Sequence, residues 1–202
     1  MYESHLTAPC APAELGRLER WAARHGVKFT HIELARGRTP SQPMLTSAGS
    51  RPTYDAERGH VTALAALLAA DGFAVARTKV ECVPWAPEVP RDDAEAVADV
   101  RGRHFEHHVK LLLDPSHDTS ALLAAAVRHG AHVPRNARRR RPDGQEERFV
   151  TQRCHGVGDD RAAGALQRLL AELAAYEVLD VEREYVLLDS GPELDHGWLE
   201  AA

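Results

Sequence analysis

The sequence predicts an α+β protein built from two tandem ferredoxin-like (βαββαβ) half-domains related by pseudo-twofold symmetry. Three matches in order support this reading. Tyr2-Glu3-Ser4-His5-Leu6 answers to Phe105-Glu106-His107-His108-Val109 at an offset of 103. Arg24-His25-Gly26 answers to Arg128-His129-Gly130 at 104, and Met44-Leu45-Thr46 to Phe149-Val150-Thr151 at 105. One nearly constant spacing across three motifs is the mark of an internal repeat.

The elements follow in the same order in each half. Tyr2 to Ala8 alternates, with Tyr2, Ser4 and Leu6 on one face and Glu3, His5 and Thr7 on the other. Pro12 opens a helix carrying Leu15, Leu18 and Ala22, which Gly26 ends. Lys28 to Arg36 reads as a strand, 38–43 as a turn and Met44 to Ala48 as the returning strand. Tyr54 to Ala70 has helical apolar spacing and stops at Asp71-Gly72, and Phe73 to Val83 is a fourth strand. In the second half the strands are His104–Leu113, His132–Arg140, Glu147–Cys154 and Val178–Leu188. The helices are Ser120–His129 and Asp160–Ala175, and Pro142-Asp143-Gly144 is a turn. This order divides the chain into a lobe at 1–84, a linker at 85–103 and a second lobe with a tail at 104–202. Three prolines between Pro84 and Pro90 exclude a central strand there, and Trp85 is expected to anchor the crossing in a groove.

Composition narrows the functions. The 202 residues are 44% hydrophobic but only 5% aromatic, so alanine and leucine must supply the core. A net charge of −5 gives no global attraction to nucleic acid or to an anionic membrane. An RNA-binding role is further weakened by the lack of aromatic pairs for stacking on bases. No apolar run reaches membrane-span length, and the N-terminus is not a secretory signal. Cys10, Cys82 and Cys154 are odd in number and widely spaced, which fits a reducing cytoplasm. The Ala/Arg-heavy composition points to a high-GC bacterial genome.

The residues that suggest chemistry lie on the two equivalent first strands. Period-two geometry puts Glu3 and His5 on one side, and His104, Glu106, His108 and Lys110 on the corresponding side of the copy. In a ferredoxin-like order the first strand is central, so these groups sit mid-sheet on the face away from the helices. A glutamate beside a histidine in such a place shifts both pKa values, which suits acid–base catalysis by Glu3, His5, Glu106 and His108. As structure alone, each pair would be a satisfied polar contact between the lobes. His104, Glu106 and His108 also form a ligand set for a divalent transition metal, with His31, Glu33 or His155 as further donors.

Basic residues gather at the hairpins. Arg36, Arg38 and Arg135 head the two corresponding turns, Arg148 and Arg153 follow on a returning strand, and Lys79 and Arg183 sit 104 apart on the fourth strands. With Lys110, the residues Arg36, Arg38, Lys79, Arg135 and Arg183 are candidates to hold an anionic substrate. His25 and His129, each just before a glycine, read as helix C-caps.

Ser4-His5-Leu6-Thr7 resembles the His-x-Thr motif of the two-histidine phosphoesterases, a bilobal, pseudo-symmetric family with one catalytic histidine per half. The resemblance implies acid and base histidines acting on a cyclic phosphate or RNA phosphodiester. The second copy departs from the motif: His108-Val109-Lys110 has lysine in place of the hydroxyl residue. The functional expectation is a small enzyme that uses His/Glu acid–base chemistry on an anionic, phosphorylated substrate. The alternatives are a non-catalytic module binding an acidic metabolite or nucleotide, and a metal-dependent enzyme using the His/Glu cluster.

Overall fold

The computed structural model describes residues 1–34, 39–49, 51–98, 102–133, 135–142 and 144–195, with 135–140 described as backbone. It is a mixed α/β structure with one antiparallel sheet and helices packed outside it. The strands are β1 Tyr2–Thr7, β2 Lys28–Glu33, β3 Ser41–Gly49, β4 Arg77–Cys82, β5 His104–Leu113, β6 Ala131–His132, β7 Arg135–Arg140, β8 Glu146–His155 and β9 Glu177–Asp189. The helices are α1 Leu15–Arg24, α2 Tyr54–Ala70, α3 Asp93–Ala98, α4 Thr119–Arg128 and α5 Asp159–Glu172.

Local chemistry explains the helix limits. The Thr53 hydroxyl accepts from the Ala56 N–H at the start of α2, and the Asp118 carboxylate accepts from Ser120 and Ala121 at α4. Gly26 and Gly130 take positive φ just after α1 and α4. As expected, His25 and His129 occupy the C-cap positions, and His25 Nδ1 donates to the Trp21 carbonyl.

Within residues 1–84 the strands lie in the order β4-β1-β3-β2; within 104–202 the order is β9-β5-β8 followed by β7 and β6. The two sets share one sheet. β4 pairs with β9, and β2 pairs with β7 through Ile32↔Asn136 and Glu33↔Arg135. The pairings therefore close a ring, β1-β3-β2-β7-β8-β5-β9-β4, with β6 added beside β8. Closure removes the free edges that an open sheet would expose.

Two cores lie between the ring and its helices. Leu6, Leu18, Trp21, Leu45, Val61 and Leu68 pack in the first half, and Val109, Leu122, Val150, Leu166 and Leu169 in the second. A third cluster contains Tyr2, Phe105 and Tyr185 together with Ala86 and Val89 of the connecting segment.

That segment differs from expectation in two respects. Trp85 is not anchored: it is 74% exposed, because Ala86 and Val89 turn inward and Tyr2 Oη donates to Glu88 at 2.9 Å. The acidic stretch forms α3, and Asp93 Oδ1 accepts from the Gly158 N–H at the start of α5. β3 also begins earlier than the prolines suggested. Pro43 pairs with His31 on β2 and lies past Met44, the last β3 residue paired to β1, while its carbonyl accepts from Ala8 N–H. The strand expected at 132–140 is divided into β6 and β7.

Candidate functional site

Alternation along each strand sends one set of side chains toward the helices and the other into the ring. Leu6 and Phe105 face outward into the cores, whereas Glu3, His5, Glu106 and His108 line an interior cavity of about 410 Å³. An eight-stranded ring is wide enough for side chains or one small ligand, and this volume lies within the ordinary range of ligand pockets. The sheet faces expected to flank a cleft thus line a single cavity.

Corresponding residues make corresponding contacts. His5 Nδ1 lies 3.0 Å from Thr46 Oγ1, while Nε2 is 2.7 Å from Glu81 and 3.5 Å from Glu3. His108 Nδ1 lies 3.0 Å from Thr151 Oγ1, while Nε2 is 3.3 Å from Glu184 and 3.6 Å from Glu106. Glu3 faces Glu81 across the β1–β4 ladder, and Glu106 faces Glu184 across β5–β9. Each histidine is thereby held by a hydroxyl on one nitrogen and two carboxylates near the other, the arrangement that orients an imidazole for proton transfer.

The buried charges set one another's ionisation. Burial pushes the Glu81 carboxyl up, but the Lys79 ammonium and His5 outweigh it and hold the group at about 2. Burial likewise opposes ionisation of Glu106, and Lys79 and Arg153 bring it well below the carboxylate range. His108 goes the other way from a neutral core histidine. Burial lowers its pKa, yet the bond to Glu184 and the charge of Glu106 raise it above the ordinary value. Glu184 is raised by burial and by the nearby Glu81 charge. His132, also on the cavity wall, is pulled down to about 3 by burial and by Arg153, so it is neutral.

The interior cations are engaged by carboxylates. Lys79 bridges Glu81 and Glu106. Arg153 donates to Glu106 at 2.5 Å and reaches Asp195 at 2.6 Å. Arg77 grips Asp189 with two nitrogens and Asp195 with the third.

The expected site residues separate into groups. His5, His108, Glu3, Glu106 and Lys79 come together in the cavity. Lys110 does not line it and is held by Glu147 at 2.6 Å. Arg183 points to the helix side, where it pairs with Asp159 at 2.6 Å; its neighbours Glu182 and Glu184 face inward instead. A one-residue difference in alignment reverses the face on a strand, and the residue 103 after Lys79 is Glu182. Arg36 and Arg38 lie outside the described residues, and Arg135 is placed on β7 opposite Glu33.

Of the expected metal set, His104 Nε2 and His108 Nε2 lie 3.9 and 3.6 Å from Glu106, while His104 Nδ1 donates to the Gly102 carbonyl, its ring packs against His155, and Glu106 is also engaged by Lys79 and Arg153. Among the described residues, donor atoms of Glu81, His108 and Glu184 instead converge within 4.8 Å of one another. His31 lines the cavity and lies 2.8 Å from the Ser41 hydroxyl, and Glu33 is exposed on β2.

Sequence reasoning missed Glu81, Glu184, Thr46, Thr151 and Arg77. The glutamates were detectable, since Glu81 and Glu184 share the offset of 103 with the two histidines, and Thr46 and Thr151 closed the third repeated motif. Arg77 and Asp195 had no such signal.

No family model matches the chain, and no curated protein matches it. Among solved structures it is similar to the acetolactate synthase small subunit from Thermotoga maritima, at 12% identity over 93% of this chain and 96% of that one, with a TM-score of 0.28. It is also similar to the siroheme decarboxylase NirDL in complex with an iron-uroporphyrin III analogue, at 9% identity over 93% and 72%, with a TM-score of 0.28. Those TM-scores are too low to assign a fold or an activity.

Proposed function

We propose that this chain is a small enzyme that transfers protons on an anionic, phosphoester substrate held inside the ring. The observation that carries the reading is the pair of equivalent Thr–His–Glu–Glu groups, one from each half, facing one cavity. Polar groups of this kind are costly to bury for packing alone. His108, whose protonated form its carboxylates favour, and His5 exchange protons with the substrate; Thr46 and Thr151 fix the ring orientations. The same correspondence supports a tandem duplication of ferredoxin-like units at 1–84 and 104–202, joined by 85–103. The three unpaired thiols support a reducing, cytoplasmic setting.

The test is hydrolysis of 2′,3′-cyclic AMP and bis(4-nitrophenyl) phosphate by the native chain and by His5→Gln and His108→Gln. Turnover reduced about 100-fold or more in each variant is expected, the scale of a lost acid or base. Absence of native turnover, or a fully active variant, rejects the reading.

A second reading rests on the convergence of Glu81, His108 and Glu184, which suits a divalent cation with mixed oxygen and nitrogen ligands. In that case His108 is a ligand and not a proton-transfer group. Stoichiometric metal in the purified protein, lost in Glu184→Gln, would select this reading.

A further inference from the structure

Among the described residues, the buried cations of the cavity wall, Arg77, Lys79 and Arg153, already hold carboxylates, so an anionic group reaches one of them only where a carboxylate yields. The arrangement around Asp195 supplies that place. Arg77 on β4 and Arg153 on β8 come from different halves, both line the cavity, and both are nearly buried. They bracket a single carboxylate: Arg77 Nη1 is 3.0 Å from Asp195 Oδ1, and Arg153 Nη2 is 2.6 Å from Oδ2. One oxygen per guanidinium is how two arginines share an oxyanion.

Asp195 reaches them from the short 3-10 turn Pro192–Asp195 that follows β9. Pro192 and Glu193 are exposed and Leu194 is half-buried, so Asp195 itself is the buried part of the turn. Among the described residues, the backbone of the turn is tied by Gln42 Nε2, which donates to the Leu194 carbonyl at 3.3 Å, and by the Leu194 N–H, which donates to the Gly191 carbonyl at 3.1 Å.

We propose that Arg77 and Arg153 form the oxyanion subsite of the cavity, and that Asp195 fills it in cis until a phosphate group displaces it. The proposal rests on the anionic-substrate reading above and deepens it. Exchange of one carboxylate for one singly charged oxyanion leaves the interior charge unchanged. Among the described residues, an anion added beside Asp195 meets Arg77 and Arg153, both already paired. The guanidiniums stay aimed when Asp195 leaves, because Asp189 grips Arg77 and Glu106 grips Arg153. A site whose donors are already held needs little ordering on binding.

The test is calorimetric titration of inorganic phosphate into the native chain, Asp195→Ala, and the double variant Asp195→Ala/Arg77→Gln. Removing a tethered competitor should tighten phosphate binding at least about tenfold. The double variant should lose that gain. Equal affinity in native and Asp195→Ala proteins, or a gain that survives Arg77→Gln, overturns the proposal. If Asp195→Ala does not fold, hydrogen exchange of the native chain decides the matter. Concentrated phosphate, against chloride at equal ionic strength, should speed exchange of the Leu194 amide, and an unchanged rate overturns the subsite. Because binding is read without turnover, failure of the acid–base reading leaves this result intact, and turnover without the phosphate gain rejects the subsite alone.

Discussion

Lys79→Met removes the ammonium that stands between Glu81 and Glu106. Both carboxylates are about 1% exposed, and each keeps a partner, His5 for Glu81, and Arg153 with His108 nearby for Glu106. The loss therefore amounts to one broken buried ion pair, about 3–5 kcal/mol, and not two. In a chain of this size that corresponds to a fall in Tm of roughly 6–20 °C. The pH dependence separates this cause from simple loss of packing. In the native protein Glu81 is depressed to about 2 from 4.5. Its contribution is complete above the unfolded value and is lost only as pH falls through the folded one, so native stability is insensitive to Glu81 between pH 7 and 5. Without Lys79, His5 alone opposes burial and the neighbouring carboxylate, so the folded pKa of Glu81 rises from its native value. The penalty is then relieved as protonation becomes easier, by up to about 2.7 kcal/mol over those two pH units. Urea unfolding of native and variant proteins at pH 7 and pH 5 measures both quantities. A loss below about 1 kcal/mol at pH 7 would refute the reasoning, as would a larger loss that does not shrink at pH 5.

Lys110→Met provides a contrast: its pair with Glu147 is partly solvated, so urea unfolding should show a loss of no more than about 1 kcal/mol. Gly158→Ala would place a Cβ 2.4 Å from Asp92 Cα, backbone against backbone, and should cost about 1–3 kcal/mol by thermal unfolding as the connecting segment is pushed off α5. Trp85→Ala should change stability by no more than about 0.5 kcal/mol, while Trp21→Ala, fully buried and bonded from Nε1 to Asp71, should cost about 3–5 kcal/mol in the same assay. Raising the pH should weaken the fold through His108. Its folded pKa is raised, so its stabilising contribution is complete below the unfolded value and disappears as pH rises through the folded one. His108→Gln should abolish that part of the pH–stability profile, and a profile unchanged by the substitution contradicts the assigned ion pairs.

Much of this architecture was legible from residues alone. Tyr54–Ala70 and His104–Leu113 begin and end where their apolar spacing says they should, because capping groups and strand alternation are local properties. The same alternation set Glu3 and His5 together on one face, and Glu106 with His108 on its counterpart. Boundaries failed where a neighbouring strand decided the matter: Ser41 to Pro43 extend β3 because β2 is there to pair with them. Trp85 failed for a similar reason, since which residue of a proline-rich crossing turns inward depends on the space beside Tyr2 and Tyr185.

The contents of the site were legible only in part. Offsets of 103 to 105 mark corresponding positions, and they carry the two histidines, four glutamates and two threonines that now surround the cavity. Whether the two sheet faces remain apart or roll into one ring depends on the β4–β9 and β2–β7 pairings. Those contacts join residues about 100 positions apart, and no local preference encodes them. Closure then placed Arg77 and Arg153 on either side of Asp195, and Lys79 against Glu106 of the other half. Alternation and spacing determined what each strand could present. Long-range strand pairing decided what it would face, because charges choose their partners by distance in space, which chain order does not record.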